Sequence, residues 1–414
     1  MRSFTEKFLR NEFGSGVIET MLNENLGEKP IILIICSYYL PGYKAGGGLR
    51  TLVHMVERFK EKFDFRVITL DHDGDNISYR DVKVNSWNRI EGAQVFYLSA
   101  DNIKISKLRE LISEVAPSLV YLNSVFSKLS ILLLTIKRLK LLTEIPVVLA
   151  PEGEISDGAL QLKAYKKKPF VKFAKAVGLY KDLIWKVTAE PEKSETERFK
   201  GAGGKIFIAP NMPSKSIFDD YRQELKPKKK AGEAKMIFLS RFVRKKNFKW
   251  LVENLTEVEG NLKIDIYGPL EDELYWFETQ QSIKNLSPNI QIEYKGCVAY
   301  EQVYKTIYDY QYFILPTLGE NFGHVFIEAL AAGCPIITSN RTPWIELEKK
   351  QIGWDLPLEE SHRWIETIND CIHLDEADYT HLSSNARCFA REWLTNPKIE
   401  ESTLKVLNYG LKMG

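Results

Sequence analysis

Short apolar runs, each followed by a stretch with helical periodicity, recur along most of the chain. Residues 31–36 are continuously apolar, as in a strand buried on both faces, and a helix is predicted from about 49 to 63. Strand-like runs follow at 65–70, 94–98, 119–122, 146–149, 184–188 and 205–208, interleaved with helical patterns at 105–115 and 128–141. A second series of runs occupies 236–239, 264–267, 290–294, 312–315, 335–338 and 352–356. It carries a helix at 300–308 and another that presents Val325, Phe326 and Leu330 on one face and closes at Gly333. Repeated β-α units predict doubly wound parallel sheets, an α/β fold. Between the two series, residues 212–234 lack periodicity and hold Pro213, Pro227 and the run Lys228, Lys229, Lys230, the composition of a linker. The predicted organisation is a first domain over 1–211, the linker 212–234, a second domain over 235–395 and a terminal segment 396–414. Residues 1–29 fit a short packed helix or a frayed arm equally.

A chain of 414 residues is long enough for two cores, and 44% hydrophobic with 27% charged residues is an ordinary globular balance. A net charge of +2 argues against a protein-wide nucleic-acid surface, and no nucleic-acid-binding motif is present. Five cysteines without a Cys-x-x-Cys pair fit a reducing cytosol better than a disulfide scaffold or a zinc site. Residues 1–29 lack the apolar core of a secretory signal. The stretch 130–142 is apolar in part but is broken by Lys137, Arg138 and Lys140, so no transmembrane span is expected. Charge changes the picture in one place. Residues 163–186 hold eight lysines and one acid, Asp182, interleaved with Tyr165, Phe170, Phe173, Leu179, Tyr180 and Trp185. Such a face can rest on an anionic membrane surface, and a solvated helix with its apolar side in the core has the same composition. The expected location is cytoplasmic, peripheral on the inner face of the cell membrane under the first reading.

The candidate chemistry gathers in loops that follow strands, where open α/β sheets bind ligands. Between the runs at 312–315 and 335–338 lies Gly319-Glu320-Asn321-Phe322-Gly323-His324-Val325, then Glu328-Ala329-Leu330-Ala331-Ala332-Gly333. The helix start at Phe322–Val325 offers free backbone N–H groups and a partial positive charge, suited to an anionic or hydroxyl-rich ligand. Glu320 and Glu328 flank it with seven residues between them, so they would reach opposite ends of one elongated ligand. After the first strand, Gly46-Gly47-Gly48 allows close approach of a phosphate, yet fits neither the dinucleotide fingerprint nor a Walker loop. Arg50, just inside the following helix, is placed to reach the same ligand. Glu152 and Glu154, after the strand at 146–149, are placed to bond acceptor hydroxyls or to cap the next helix. With Arg50 they form the expected acceptor side. After the first strand of the second series comes Arg241-Phe242-Val243-Arg244-Lys245-Lys246, a cationic turn. Asp71-His72-Asp73 has the form of a metal motif but lacks a second ligand cluster, and aspartates are common in such turns.

The Glu320/Glu328 pattern, set in Gly-Glu-Asn-Phe-Gly-His and Glu-Ala-Leu-Ala-Ala-Gly-Cys-Pro, resembles the signature of the retaining glycosyltransferases of family 4. The resemblance spans about residues 30–400 and is most specific in the second half. It implies the GT-B fold, two Rossmann-like doubly wound domains facing a cleft, with the last helix, expected over 402–411, returning to the first domain. It implies a UDP- or GDP-sugar donor, a glycan or lipid-linked acceptor and retention at the anomeric carbon. Glu320 would bond the donor sugar and Glu328 the ribose. Arg241 and Lys246 would contact the pyrophosphate, with Gly47 and Gly48 opposite and Gly296 near the nucleobase. Asn321, Phe322, Gly323, His324 and Val325 complete the donor site. Neither a metal nor another cofactor is implied, and relatives of this kind build bacterial surface polysaccharides or glycolipids. Three rivals remain: a nucleotide-sugar epimerase of the same architecture, a sugar-nucleotide binding module, and a glycoside hydrolase. The last needs carboxyl groups roughly 5–9.5 Å apart, which a pair split around a helix start does not suit.

Overall fold

The computed structural model of the protein describes residues 28–43, 46–75, 77–141, 144–161, 164–200, 203–214 and 226–414. Most of the 1–29 stretch and the middle of the expected linker lie outside the described residues. The first half runs β1 (Ile31–Ile35), α1 (Gly47–Phe59), β2 (Asp64–Leu70), β3 (Trp87–Ile90), β4 (Ala93–Leu98), α2 (Ile105–Val115), β5 (Leu119–Asn123) and α3 (Lys128–Arg138). It continues with β6 (Val147–Ala150), α4 (Asp157–Gln161), α5 (Ala164–Ala176), β7 (Ile184–Val187), α6 (Glu190–Lys200) and β8 (Lys205–Ile208). The second half runs β9 (Glu233–Leu239), α7 (Phe248–Asn254), β10 (Asn261–Tyr267), α8 (Glu273–Ile283), β11 (Ile290–Gly296), α9 (Tyr300–Tyr308), β12 (Tyr312–Leu315), α10 (His324–Ala331), β13 (Ile336–Ser339) and β14 (Gly353–Leu356). Helices α11 (Ser361–His373), α12 (Glu376–Thr395) and α13 (Pro397–Leu411) end it.

These strands form two separate sheets, in the orders β3-β4-β2-β1-β5-β6-β7-β8 and β11-β10-β9-β12-β13-β14. Every pairing is parallel except β3 with β4. The β3 edge strand was not legible, because Trp87-Asn88-Arg89-Ile90 is half-exposed and mostly polar. Parallel central strands are buried on both faces, which is why their apolar runs were unambiguous. Helix ends moved for local reasons. Helix α1 stops at Phe59 because exposed Lys60, Glu61 and Lys62 make a turn that still returns Phe63 to the core. Helix α3 stops at Arg138 because Lys140 is left-handed, with φ 54°.

The first sheet has an apolar core on each face. One joins α1 to Val406 and Leu407 of α13, and the other joins α2, α3 and Phe199 of α6. The last helix therefore packs on the first sheet, close enough that a Cβ at Gly410 would sit 2.6 Å from Leu119. The second sheet has its own core, centred on Phe238, Phe242, Phe248, Phe313 and Phe326.

The topology positions the site. In the first sheet the chain travels outward from β1 through β2 to β4, then restarts at β5 on the other side of β1. In the second it travels from β9 through β10 to β11 and restarts at β12 beside β9. The crevices at these reversals are where such sheets bind ligands. The glycine-rich turn follows β1, the cationic turn follows β9, and the Glu320 loop follows β12.

Candidate active site

The cationic turn is held by its aromatic member. Phe242 is buried among Phe238, Phe248 and Trp276, and its N–H donates to Pro269 at 2.8 Å. That anchor turns Arg244 outward to Asp272 and Glu278 and leaves Arg241 facing the glycine turn, 3.9 Å from where a Cβ at Gly46 would stand. Lys246 points the other way, into the Glu320 loop, and its Nζ lies 2.6 Å from Glu320 Oε1. Thr317 Oγ1 donates to the same oxygen at 2.8 Å. Burial alone would raise the Glu320 carboxyl, but Lys246 and Lys245 outweigh it and hold it below its ordinary value. Lys245, for its part, is pushed down by burial. Lys245, not among the expected site residues, shares this cluster. Its place in a 3-10 turn, where three successive residues point in three directions, was the missing information.

Glu328, one turn into α10, is the opposite case. It is 6% exposed, and its carboxylate has no hydrogen-bond or ion-pair partner among the described residues. Burial raises its carboxyl to about 7, with Arg50 offsetting part of the effect. Arg50 itself stacks on the Tyr300 ring of α9, its guanidinium carbon 3.7 Å from the ring centre. Arg50 was expected on the acceptor side; the structure places it on the second domain, because the face of α1 that carries Arg50, Thr51 and His54 meets α9 and α10.

Two more residues of that face cross over. Thr51 Oγ1 lies 3.0 Å from His324 Nε2 and 3.0 Å from Gly47 O, to which it donates; it therefore accepts from His324 Nε2–H. His54 Nδ1–H donates to Met212 O at 2.9 Å, and its Nε2 accepts from Tyr300 O–H at 3.0 Å. Burial keeps both rings neutral, lowering His54 to about 4 and His324 well below its ordinary value. The His324 side chain is thus part of the domain contact, and its backbone N–H stands at the start of α10. Gly47 packs on this ring, whereas Gly48 faces Asn123 of its own domain. Gly46 alone of the three glycines has positive φ, 64°, and it starts α1.

The loop after β6 is strained. Glu152 and Gly153 are both left-handed, with φ 52° and 78°, and a Cβ on Gly153 would stand 2.8 Å from Asn321 Cβ of the second domain. Glu152 lies in a buried polar cluster: Lys186 Nζ is 3.3 Å from Oε1 and Asn211 Nδ2 donates to Oε2 at 2.7 Å. Glu192 accepts from Gly153 N–H at 2.6 Å and from Thr188 N–H at 2.7 Å. The Asn321 amide completes the bridge, its nitrogen 3.0 Å from Thr188 Oγ1 and 3.2 Å from Glu192. Asn321 is therefore a link between domains rather than an open ligand contact. Glu154 departs from expectation too. It turns inward to accept from Ser124 Oγ, Val125 N–H and Phe126 N–H, ahead of α3, and is not offered to an acceptor. Phe322 is buried against Trp344 and Trp393, which fixes the entry to α10 and leaves the N–H groups of Gly323, His324 and Val325 at its start. Gly296, at the end of β11, has φ 87° and open space around its Cβ position.

Asp71 accepts from Ser78 Oγ and Asp73 from Tyr43 N–H, each at 2.7 Å. Among the described residues no group of three His, Cys, Asp or Glu side chains could hold a metal ion. No described helix is long and apolar enough to cross a membrane.

Two facing Rossmann-like domains, with chemistry at both switch points, define the GT-B fold. Residues 220–388, the greater part of the second domain, match the model of the family described as glycosyl transferases group 1. A comparison with curated protein sequences finds no match. Solved structures with this fold include Anabaena Alr3699/HepE in complex with UDP and glucose, 15% identical, with a TM-score of 0.66 over 92% of this chain and 100% of that one. Sucrose-phosphate synthase from Thermosynechococcus elongatus is 15% identical, with a TM-score of 0.67 over 93% and 100%. WaaG, a glycosyltransferase involved in lipopolysaccharide biosynthesis, is 10% identical, with a TM-score of 0.62 over 90% and 98%.

Proposed function

We propose that this protein is a retaining glycosyltransferase that moves a hexose from a UDP- or GDP-sugar to a hydroxyl of a glycan or lipid-linked acceptor. The observation that carries the reading is a pair of carboxylates in opposite surroundings on either side of one helix start. Glu320 is held below its ordinary value among cations, and Glu328 is buried with no hydrogen-bond or ion-pair partner among the described residues. The free N–H groups of α10 lie between them. A sugar, a diphosphate and a ribose in that order match the arrangement, and the family match and the UDP complex of a protein with this fold support it.

In this account Glu320 bonds hydroxyls of the donor sugar and Glu328 those of the ribose. As the bond from the anomeric carbon to the leaving oxygen breaks, Arg241, Lys245 and Lys246 face the charge that gathers on the diphosphate. The acceptor oxygen bonds to that carbon on the same face, and its proton passes to a phosphate oxygen of the leaving group. Cations take the place of a metal. The Lys246–Glu320 pair is shared with the donor when it binds, which lets one lysine orient the sugar-reading carboxylate and meet the phosphate. The setting is synthesis of a bacterial surface polysaccharide or glycolipid on the cytoplasmic side of the membrane. Helix α5 supports a peripheral membrane contact: its only buried side chain is Ala174, and Tyr165 and Phe173 are 73% and 64% exposed beside its lysines.

A thermal-shift screen against UDP- and GDP-sugars tests the reading. A donor at a hundredfold excess over Kd stabilises by about 2.7 kcal/mol. Incubation of the best ligand with and without acceptor sugars follows. Transfer only with acceptor is expected. Conversion of donor alone makes the protein an epimerase, binding without turnover makes it a binding module, and stabilisation by no nucleotide sugar overturns the reading.

A further inference from the structure

Glu320 is held by its own domain through one oxygen. Lys246 Nζ and Thr317 Oγ1 both donate to Oε1, at 2.6 and 2.8 Å. Oε2 has no hydrogen-bond partner among the described residues, and it is not sealed in: the side chain is 12% exposed, and this second oxygen is the edge that solvent reaches.

The two donors differ in kind. Lys246 carries its ammonium on a long stem and, in the reading above, also meets the diphosphate. Thr317 is short, fully buried and two residues past β12. Its carbonyl accepts from Ser339 Oγ at 2.5 Å, and Ser339, the last residue of β13, is fully buried too. The Thr317 hydroxyl has one proton and three acceptors in reach: Glu320 Oε1 at 2.8 Å and the carbonyls of Lys245 and Gly319, each at 3.2 Å. Glu320 is the nearest and the only ionisable one of the three, and a bond to an ionised group is roughly twice as strong as a neutral one, so the proton goes there. Gly319 N–H donates to the same hydroxyl at 3.3 Å and fixes it from the other side.

We propose that Thr317 is a positioning residue for the sugar-reading carboxylate: anchored at the ends of β12 and β13, it holds Oε1 of Glu320 so that Oε2 alone is presented to the donor sugar. The inference rests on the sugar role given to Glu320 above. A carboxylate oxygen accepts and never donates, and it has two lone pairs, so Oε2 reads one hydroxyl or two neighbouring hydroxyls of the sugar. The last torsion of a glutamate side chain is soft. With Lys246 as its one remaining anchor, the carboxylate would turn as the lysine shares its protons with the diphosphate, and either oxygen could face the sugar. A hydroxyl built into the sheet end keeps the aim while the lysine serves both partners.

The test is calorimetry of the whole protein with UDP and GDP and with UDP-glucose, UDP-galactose and GDP-mannose, read as the affinity for each nucleotide sugar relative to its nucleoside diphosphate. Thr317→Val removes the O–H and keeps the branched shape, and Thr317→Ala removes it independently. Both should bind the nucleoside diphosphate as the wild type does and hold the preferred nucleotide sugar about tenfold more weakly, the loss of one bond to a charged group. Thr317→Ser, which keeps the hydroxyl, should recover most of that loss. Beside Glu320→Ala, which leaves no carboxylate to aim, Thr317→Val should have no further effect. Wild-type affinity of both hydroxyl-free variants for the nucleotide sugar overturns the proposal. Equal weakening of nucleoside diphosphate and nucleotide sugar, or a loss that persists in Thr317→Ser or beside Glu320→Ala, also overturns it, because each marks Thr317 as a packing residue. If the wild type binds none of the five ligands, the donor reading itself fails. If it binds UDP or GDP and none of their sugars, the sugar role of Glu320 fails; if it binds both and only the sugar-selective loss is missing, the failure is confined to Thr317.

Discussion

Replacing Glu328 by Gln should stabilise the folded protein at alkaline pH while weakening its hold on nucleoside diphosphate. Burial raises this carboxyl from 4.5 to about 7 in the folded state. A group that binds its proton more tightly when folded favours the fold while it is protonated. Stability is lost as pH rises from the unfolded value through the folded one, here from 4.5 to about 7. At roughly 1.4 kcal/mol per decade of proton affinity, that loss is about 3 kcal/mol, an upper value for a carboxyl with no ion-pair partner among the described residues. Glutamine has the same shape and no charge. At pH 5 the folded wild-type carboxyl is still mostly protonated, and the two proteins should differ by less than about 1 kcal/mol. At pH 8 the variant should be the more stable by up to about 3 kcal/mol. Denaturant unfolding at both pH values, followed by circular dichroism, measures the difference. Calorimetry with nucleoside diphosphate should show a loss of roughly ten- to a hundredfold, one or two charge-assisted bonds. The reasoning fails if the gap between variant and wild type is the same at pH 5 and pH 8. A wild type more stable than the variant at pH 8 would refute it more strongly, by making the carboxylate a partner in an ion pair.

Glu320→Ala should bind nucleoside diphosphate nearly as the wild type does and lose turnover, since its contacts are to the sugar at the reacting end; equal weakening by Glu320→Ala and Glu328→Ala in calorimetry would overturn the assignment of opposite ends. Turnover should survive a strong chelator, because Arg241, Lys245 and Lys246 supply the cations; loss restored by manganese would return Asp71 and Asp73 to the site. Vesicles of anionic lipid should sediment the protein at low salt and release it at high salt, through the lysines of α5; equal recovery in the supernatant with neutral and anionic vesicles would end that idea. Gly153→Ala should destabilise by about 1–3 kcal/mol and lower turnover, because a left-handed backbone and Asn321 both oppose the added methyl; wild-type melting and rates would show that the loop relaxes freely.

Much of the fold was legible in residue order. The runs at Leu119–Asn123 and Tyr312–Leu315 are buried on both faces, and a strand buried on both faces has no polar positions to blur its ends. Helices α2 and α9 likewise began and ended where their periodicity did. The illegible parts were those whose burial is decided elsewhere, such as the half-exposed β3 edge and the starts of β9 and β10, where polar residues pair in the ladder. In the site, Gly323 and Phe322 marked the start of α10, and the Glu320/Glu328 spacing marked its two flanks, because those signals are local.

By itself, then, the sequence determined the two series of parallel strands, the loops that carry chemistry and the residue types in them, since backbone hydrogen bonding and apolar periodicity act within a few residues. Tertiary structure alone decided what those residues face. Arg50, Thr51 and His54 are spaced to share one side of a helix, but only the packing of α1 on α9 and α10 sends them into the second domain. Glu154 and Glu152 are two residues apart in one strained loop. One turns inward to cap the approach to α3, and the other joins Lys186 and Asn211 in the cleft. Glu320 and Glu328 are the same amino acid on either side of one helix start. Lysines from another loop hold the first below its ordinary value, and burial with no ion-pair partner among the described residues lifts the second to about 7. The charge state of a carboxylate is set by what lies within a few ångströms of it in space, and no spacing along the chain encodes that distance.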